Sequence, residues 1–264
     1  MMWWLMQNAL SAAGLMLCAF VIERMFRLSP STQHVLWLLV VIRLIAPPLP
    51  LWPWPLESAS PAAEFVTSHG QLGVETAGWS FGACLAYAWL AGAIVVAVLE
   101  GVRLLRLHRQ IARGHAFPQH LQREVEAAAC QLGMRPPRRV VVARVRMPLV
   151  VCSLRPILVI PEGLLGKLGA TAWRSVLAHE LVHLKRHDHW TGWVELTAAC
   201  IWWWNPVFWY ARKRMRECAE LACDAWVVRL VPNGRREYAE SLIAVIDTES
   251  WNAAPIGAIG MASG

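Results

Sequence analysis

Residues 177–190 read LAHELVHLKRHDHW, and within them His179, Glu180 and His183 form the pattern H-E-x-x-H. On a helix, residues four apart share one face, so the two imidazoles can converge on a single ion. Glu180 sits about 100° further round the helix, near that ion without binding it. This is the grouping of a zinc site with a general-base carboxylate, and zinc is the expected cofactor. Such a site needs a third protein ligand.

The same stretch offers His187 and His189. His187 lies eight residues from His179, about 12 Å along a helix, which is too far for an ion chelated by His179 and His183. His189 occupies the last position of H-E-x-x-H-x-x-G-x-x-H, but the glycine that ends the helix in that class is Arg186 here. Both histidines are therefore expected to be neighbours on a continuing helix. Downstream, RMRECAELACDAWVV places Glu220 and Asp224 four residues apart within an otherwise apolar run. Acids on such a face need a partner. A Glu ligand from a separate helix, with an acid one turn on to orient a histidine, is the gluzincin arrangement. Glu217, one turn earlier between Arg214 and Arg216, is the competing carboxylate.

These side chains need elements to hold them. LQREVEAAACQLGM (121–134) reads as a helix ending near Gly133, followed by β-branched runs at 140–145, 149–153 and 156–160 that suggest a small sheet. Gly169 or Thr171 caps the helix that carries the H-E-x-x-H pattern. Between the two ligand-bearing helices, residues 196–211 are uncharged, rich in tryptophan and broken by Asn205-Pro206. A full span there would put Glu220 and His183 on opposite sides of a membrane, so an interfacial or re-entrant element is expected.

The chain of 264 residues is 56% hydrophobic but only 16% charged, against about 25% for a soluble domain. Residues 76–99 carry no charge, long enough for a helix to cross a bilayer, and runs at 3–22 and 34–54 resemble it. The first run has no basic leader or small-residue cleavage pattern and is expected to be a retained anchor. Arg43, inside the second, needs an interface or a polar neighbour. The linker 51–78 holds Glu57, Glu64 and Glu75 and no Lys or Arg, whereas Arg24, Arg27, Arg103, Arg106, Arg109 and Arg113 flank the runs. The positive-inside rule then puts the N-terminus outside and everything after about residue 101 in the cytoplasm. Segment 101–190 has fifteen Lys/Arg against five Asp/Glu, which suits a domain lying on anionic lipid. No nucleic-acid reading motif is present, and direct nucleic-acid binding is not expected. The seven cysteines form no C-x-x-C pair, and none is assigned to metal.

SLRPILVIPEGLL, LAHELVHLKRHDHW and WWWNPVFWYARKRMRECAELACD occur in this order after three apolar runs. Together they resemble the BlaR/MecR-type integral-membrane zinc metallopeptidases, the antirepressor family. The resemblance implies a gluzincin with His179, His183 and Glu220 as metal ligands and Glu180 as base. It implies supporting roles for Asp188, the acid that follows the motif helix, and for Asp224. The implied fold is an α+β membrane protein: spans at about 3–22, 34–50 and 78–99 within 1–101, then a metalloprotease domain over 102–264 with a small β-sheet and a membrane-interfacial helix. A multi-pass bacterial cytoplasmic-membrane location is implied, with a protein substrate such as a cytoplasmic transcriptional repressor, and membrane lipid as the other partner. Relatives of this type continue into a fourth span and often a penicillin-binding sensor. The sequence ends at GAIGMASG before either, so a β-lactam response is not carried over. An HtpX-like quality-control protease and a non-proteolytic membrane scaffold are the competing expectations.

Overall fold

The structure is a computed structural model that describes residues 2–46, 81–151, 156–230, 236, 238–240 and 258–259. The chain begins with two helices, α1 (Met2–Met25) and α2 (Pro30–Ile45). Ser29 caps α2, its hydroxyl accepting the Thr32 amide at 3.3 Å, and Pro30 supplies a pre-set first turn. At 16 residues α2 is about 24 Å long; it starts four residues before the run expected at 34–50, and residues 47–50 lie outside the described part. Arg43 does face a polar neighbour, donating to Asn8 Oδ1 of α1 at 2.7 Å.

Helix α3 (Phe81–Ala112) runs 13 residues beyond the uncharged stretch into the basic segment. Its apolar part is open: Phe81, Ile94 and Val98 are more than half exposed. Among the described residues, α1 and α3 are long and apolar enough to cross a bilayer. The far end of α3 turns inward, and Leu107 and Ile111 pack on Val141, Ala143, Leu149 and Val159 of the sheet.

That sheet has five short strands: β1 (His115–Ala116), β2 (Val140–Ala143), β3 (Leu149–Val151), β4 (Ile157–Pro161) and β5 (Ala258–Ile259). Their spatial order is β1-β2-β4-β3-β5, with β2 and β4 parallel and the other pairs antiparallel. All of β2 is buried, as a continuous Val/Ala run between two covered faces should be. The face away from α3 is covered by α4 (Gln119–Gln131) and α5 (Ala170–Lys185) through Leu121, Val125, Val176, Leu177 and Leu181.

Helix α5 is preceded by Gly169 at its N-cap and carries the H-E-x-x-H residues. It does not continue through His187, as the sequence reading expects. His187 is in the left-handed region (φ 61°), α5 stops at Lys185, and α6 (Asp188–Ile201) begins immediately afterwards. Turn hydrogen bonds from the His187 amide to Leu184 O (3.1 Å) and from the Trp190 amide to His187 O (2.9 Å) close the break. Histidine tolerates this conformation better than most side chains, so the absence of glycine does not keep the helix running.

The segment 196–211 is the end of α6, a tight turn, and the start of α7 (Pro206–Leu230). Asn205 Oδ1 accepts the Val207 amide at 2.8 Å and Pro206 fills the first turn, so the chain reverses there. The hairpin runs alongside α2. Trp202 donates to Leu44 O at 3.0 Å, the Trp37 and Tyr210 rings meet at 5.5 Å, and His34 Nδ1 donates to Met215 O at 3.0 Å. Its tip also docks on α3, where Trp89 donates to Ile201 O at 3.0 Å. A Cβ on Gly92 would fall 2.2 Å from the Trp203 ring, so only glycine allows this approach.

Candidate metal centre

His179 and His183 project from α5 with their rings 5.0 Å apart and almost completely buried. Glu220 reaches them from α7, with Oε2 3.2 Å from His179 Nε2 and Oε1 3.6 Å from His183 Nε2. The Nδ1 atoms point elsewhere. His183 Nδ1 donates to Asp188 Oδ2 at 2.9 Å; His179 Nδ1 lies 2.9 Å from the Tyr238 hydroxyl and 3.2 Å from Asp224 Oδ1. Tyr238 in turn donates to Asp224. Each imidazole thus donates from Nδ1, while His179 Nε2 hydrogen-bonds the Glu220 carboxylate and His183 Nε2 faces its other oxygen.

Two observations fit this donor set to a divalent cation. His183 Nε2 is buried without a hydrogen-bond partner. Both carboxylate oxygens of Glu180, one residue from His179, are likewise buried and unpartnered. Burial pushes the Glu180 carboxyl up to about 7, against the pull of His183 and His179. At Glu220 burial opposes ionisation, yet His183 and His179 hold the carboxyl well below the usual range. Positive charge between these residues is what the site favours. Two imidazoles and one carboxylate facing one another are a donor set suited to a divalent metal ion.

Cys223, one helical turn beyond Glu220's neighbourhood on α7, also belongs to a cluster with His179 and His183 that could hold an ion. The sequence reading assigned no cysteine here. Its thiol, raised by burial, lies 3.4 Å from His183 Nδ1, the nitrogen already committed to Asp188, so it approaches the ring from behind. Tyr238 was also missed; nothing in its surrounding sequence marks it, because the chain must return past α7 to bring it in.

The remaining candidates lie elsewhere. Glu217 pairs with Arg214 at 2.6 Å. Tyr210 meets Trp37 edge-to-face, Arg212 and Arg216 bind the buried Glu195, and Arg214 also reaches Glu23 of α1. Tyr210 and these arginines do not meet the histidine cluster: Tyr210 is about 15 Å of helix rise from Glu220. His189 and His187 pack on each other at 5.7 Å, away from the other two histidines.

The family model for the BlaR1 peptidase M56 matches residues 3–264. Over 103 residues the chain is 27% identical to the regulatory protein BlaR1 of Bacillus licheniformis, covering 38% of this chain and 17% of that protein. Buried histidines and a carboxylate at one point, exposed apolar helices beside them and a family match along the whole sequence lead to one conclusion: the chain belongs to the M56 family of BlaR1 peptidases, which are membrane metallopeptidases.

Proposed function

We propose that this protein is a membrane-embedded zinc endopeptidase in which His179, His183 and Glu220 hold the metal. The observation that carries the reading is the convergence of both Nε2 atoms on the Glu220 carboxylate beside the buried, unpartnered Glu180. When bound, zinc acts as a Lewis acid on the scissile carbonyl and on the attacking water. Glu180 takes the proton from that water and delivers it to the leaving amine. Its raised affinity for protons suits a group that must both accept and give one near neutral pH. Asp188 and the Asp224–Tyr238 pair fix the two imidazoles in the required tautomer.

The substrate is a protein, bound in extended form. Strand β3 packs against α5, and its outer edge accepts an antiparallel partner, the place now taken by Ala258–Ile259. A substrate segment pairing there would lie beside the metal centre. In this reading the N-terminus is outside, the peptidase part faces the cytoplasm, and the α6–α7 hairpin dips into the membrane alongside α2. A cytoplasmic transcriptional repressor is the substrate of choice for a BlaR-type peptidase.

The Glu180→Ala protein should keep its zinc but lose cleavage by at least a factor of about 100, the usual size of a general-base contribution. Undiminished cleavage would remove Glu180 from the mechanism. Mapping new N-termini in cells with and without the active enzyme separates a single regulatory substrate from the broad cleavage of a quality-control protease.

A further inference from the structure

The break between α5 and α6 borders a second concavity, distinct from the histidine centre. It encloses about 790 Å3, and Arg135, Arg138, Lys185, His187, His189 and Trp190 contribute to its lining. Among the described residues that line it there is no Asp or Glu. Arg135 and Arg138 stand exposed at its rim, with no ion pair among the described residues. Lys185 is held by the Leu132 carbonyl at 2.6 Å and the Trp226 ring, partners that leave its charge uncompensated. Asp188, the nearest acid in the first turn of α6, turns inward to His183 and to Arg186 at 3.1 Å.

The wall of the concavity also holds a buried histidine. His189 lines the concavity and is 94% buried, yet its Nδ1 has no hydrogen-bond partner. A buried polar atom left in this way costs stability unless something else satisfies it. The positive end of the α6 dipole lies at the same wall. Trp190 is half exposed on the lining, and Trp193 is almost as open three residues on, giving the rim an aromatic edge of the kind found at headgroup level.

We propose that this concavity binds a phosphate-bearing anion, with Arg135, Arg138 and Lys185 supplying the charge. A membrane supplies that chemistry as the phosphodiester of an anionic lipid headgroup, and the cell supplies it as free phosphate. Basic pockets flanking membrane helices serve the first purpose.

The test uses the full-length chain in nanodiscs of phosphatidylcholine with or without phosphatidylglycerol, compared with the Arg135→Gln/Arg138→Gln protein. Both arginines are exposed, so the double variant should fold, and its melting temperature controls for that. Retained lipid is counted by native mass spectrometry, and binding of inorganic phosphate is followed by phosphorus NMR line broadening. Wild-type protein should retain phosphatidylglycerol in preference to phosphatidylcholine, and the double variant should do so roughly tenfold to thirtyfold more weakly. Inorganic phosphate bound with the same dependence on the two arginines, without lipid preference, would keep the anion site and assign its ligand to free phosphate. The proposal fails if the double variant retains phosphatidylglycerol as well as wild type, or if neither probe binds.

Discussion

At Glu180 burial and chemistry pull in opposite directions. Its carboxylate has no partner among the described residues, and its pKa of about 7 lies above the ordinary 4.5. Below the unfolded value both states are protonated and no penalty arises. Between about 4.5 and 7 the unfolded chain ionises while the folded one does not, so stability falls as pH rises. Above 7 the metal-free protein carries the full cost, on the order of 3 kcal/mol. Glu180→Gln should therefore raise the stability of the metal-free protein increasingly from pH 4.5 to 7, as read by denaturant titration across that range. A flat difference would mean that the carboxylate is not desolvated. A bound cation lowers the same pKa, so the acid limb of the activity profile should fall between the ordinary carboxylate range and 7.

The element on which the centre turns is the α5–α6 break. On a continuous helix Asp188 would point about 140° away from His183. The left-handed His187 folds the chain so that Asp188 opens a new helix with its carboxylate 2.9 Å from the imidazole. His187→Gly relieves the backbone strain and should stabilise by about 1 kcal/mol, whereas His187→Val, β-branched at a positive φ, should destabilise by at least as much. Thermal melts check both; a neutral Val variant would mean that the helix runs through. This break was not legible in the sequence, because Arg186 favours a helix and a left-handed histidine leaves no compositional trace. The His179/His183 pair was legible because helix periodicity alone puts the two on one face. Glu220 and Asp224 stood out as acids in an apolar run, but Tyr238 and the approach of Cys223 depend on tertiary packing that no local pattern encodes. The Val/Ile runs marked the strands, while their mixed order and the pairing of β3 with residues 258–259 came from long-range contacts.

Across the whole molecule, the peptidase centre and the apolar helices form one packed unit. α7 lies along α2 through its first half and carries Glu220 just past its middle, and the hairpin tip inserts against Gly92 of α3. Gly92→Ala places a methyl group inside the space of the Trp203 ring and should destabilise by about 1–3 kcal/mol. Gly101→Ala, on the same helix with nothing within 4 Å, should instead stabilise slightly through helix propensity. Melting both variants in detergent tests whether the hairpin is seated on α3; equal effects would unseat it.

The most direct test of the account is zinc K-edge X-ray absorption on the purified full-length chain, with zinc content measured on the same sample. The account predicts one zinc per chain in a shell of nitrogen and oxygen only, at about 2.0–2.1 Å. A sulfur scatterer at about 2.3 Å would replace Glu220 by Cys223 as the third ligand, and a protein that binds no zinc would contradict the metallopeptidase reading itself.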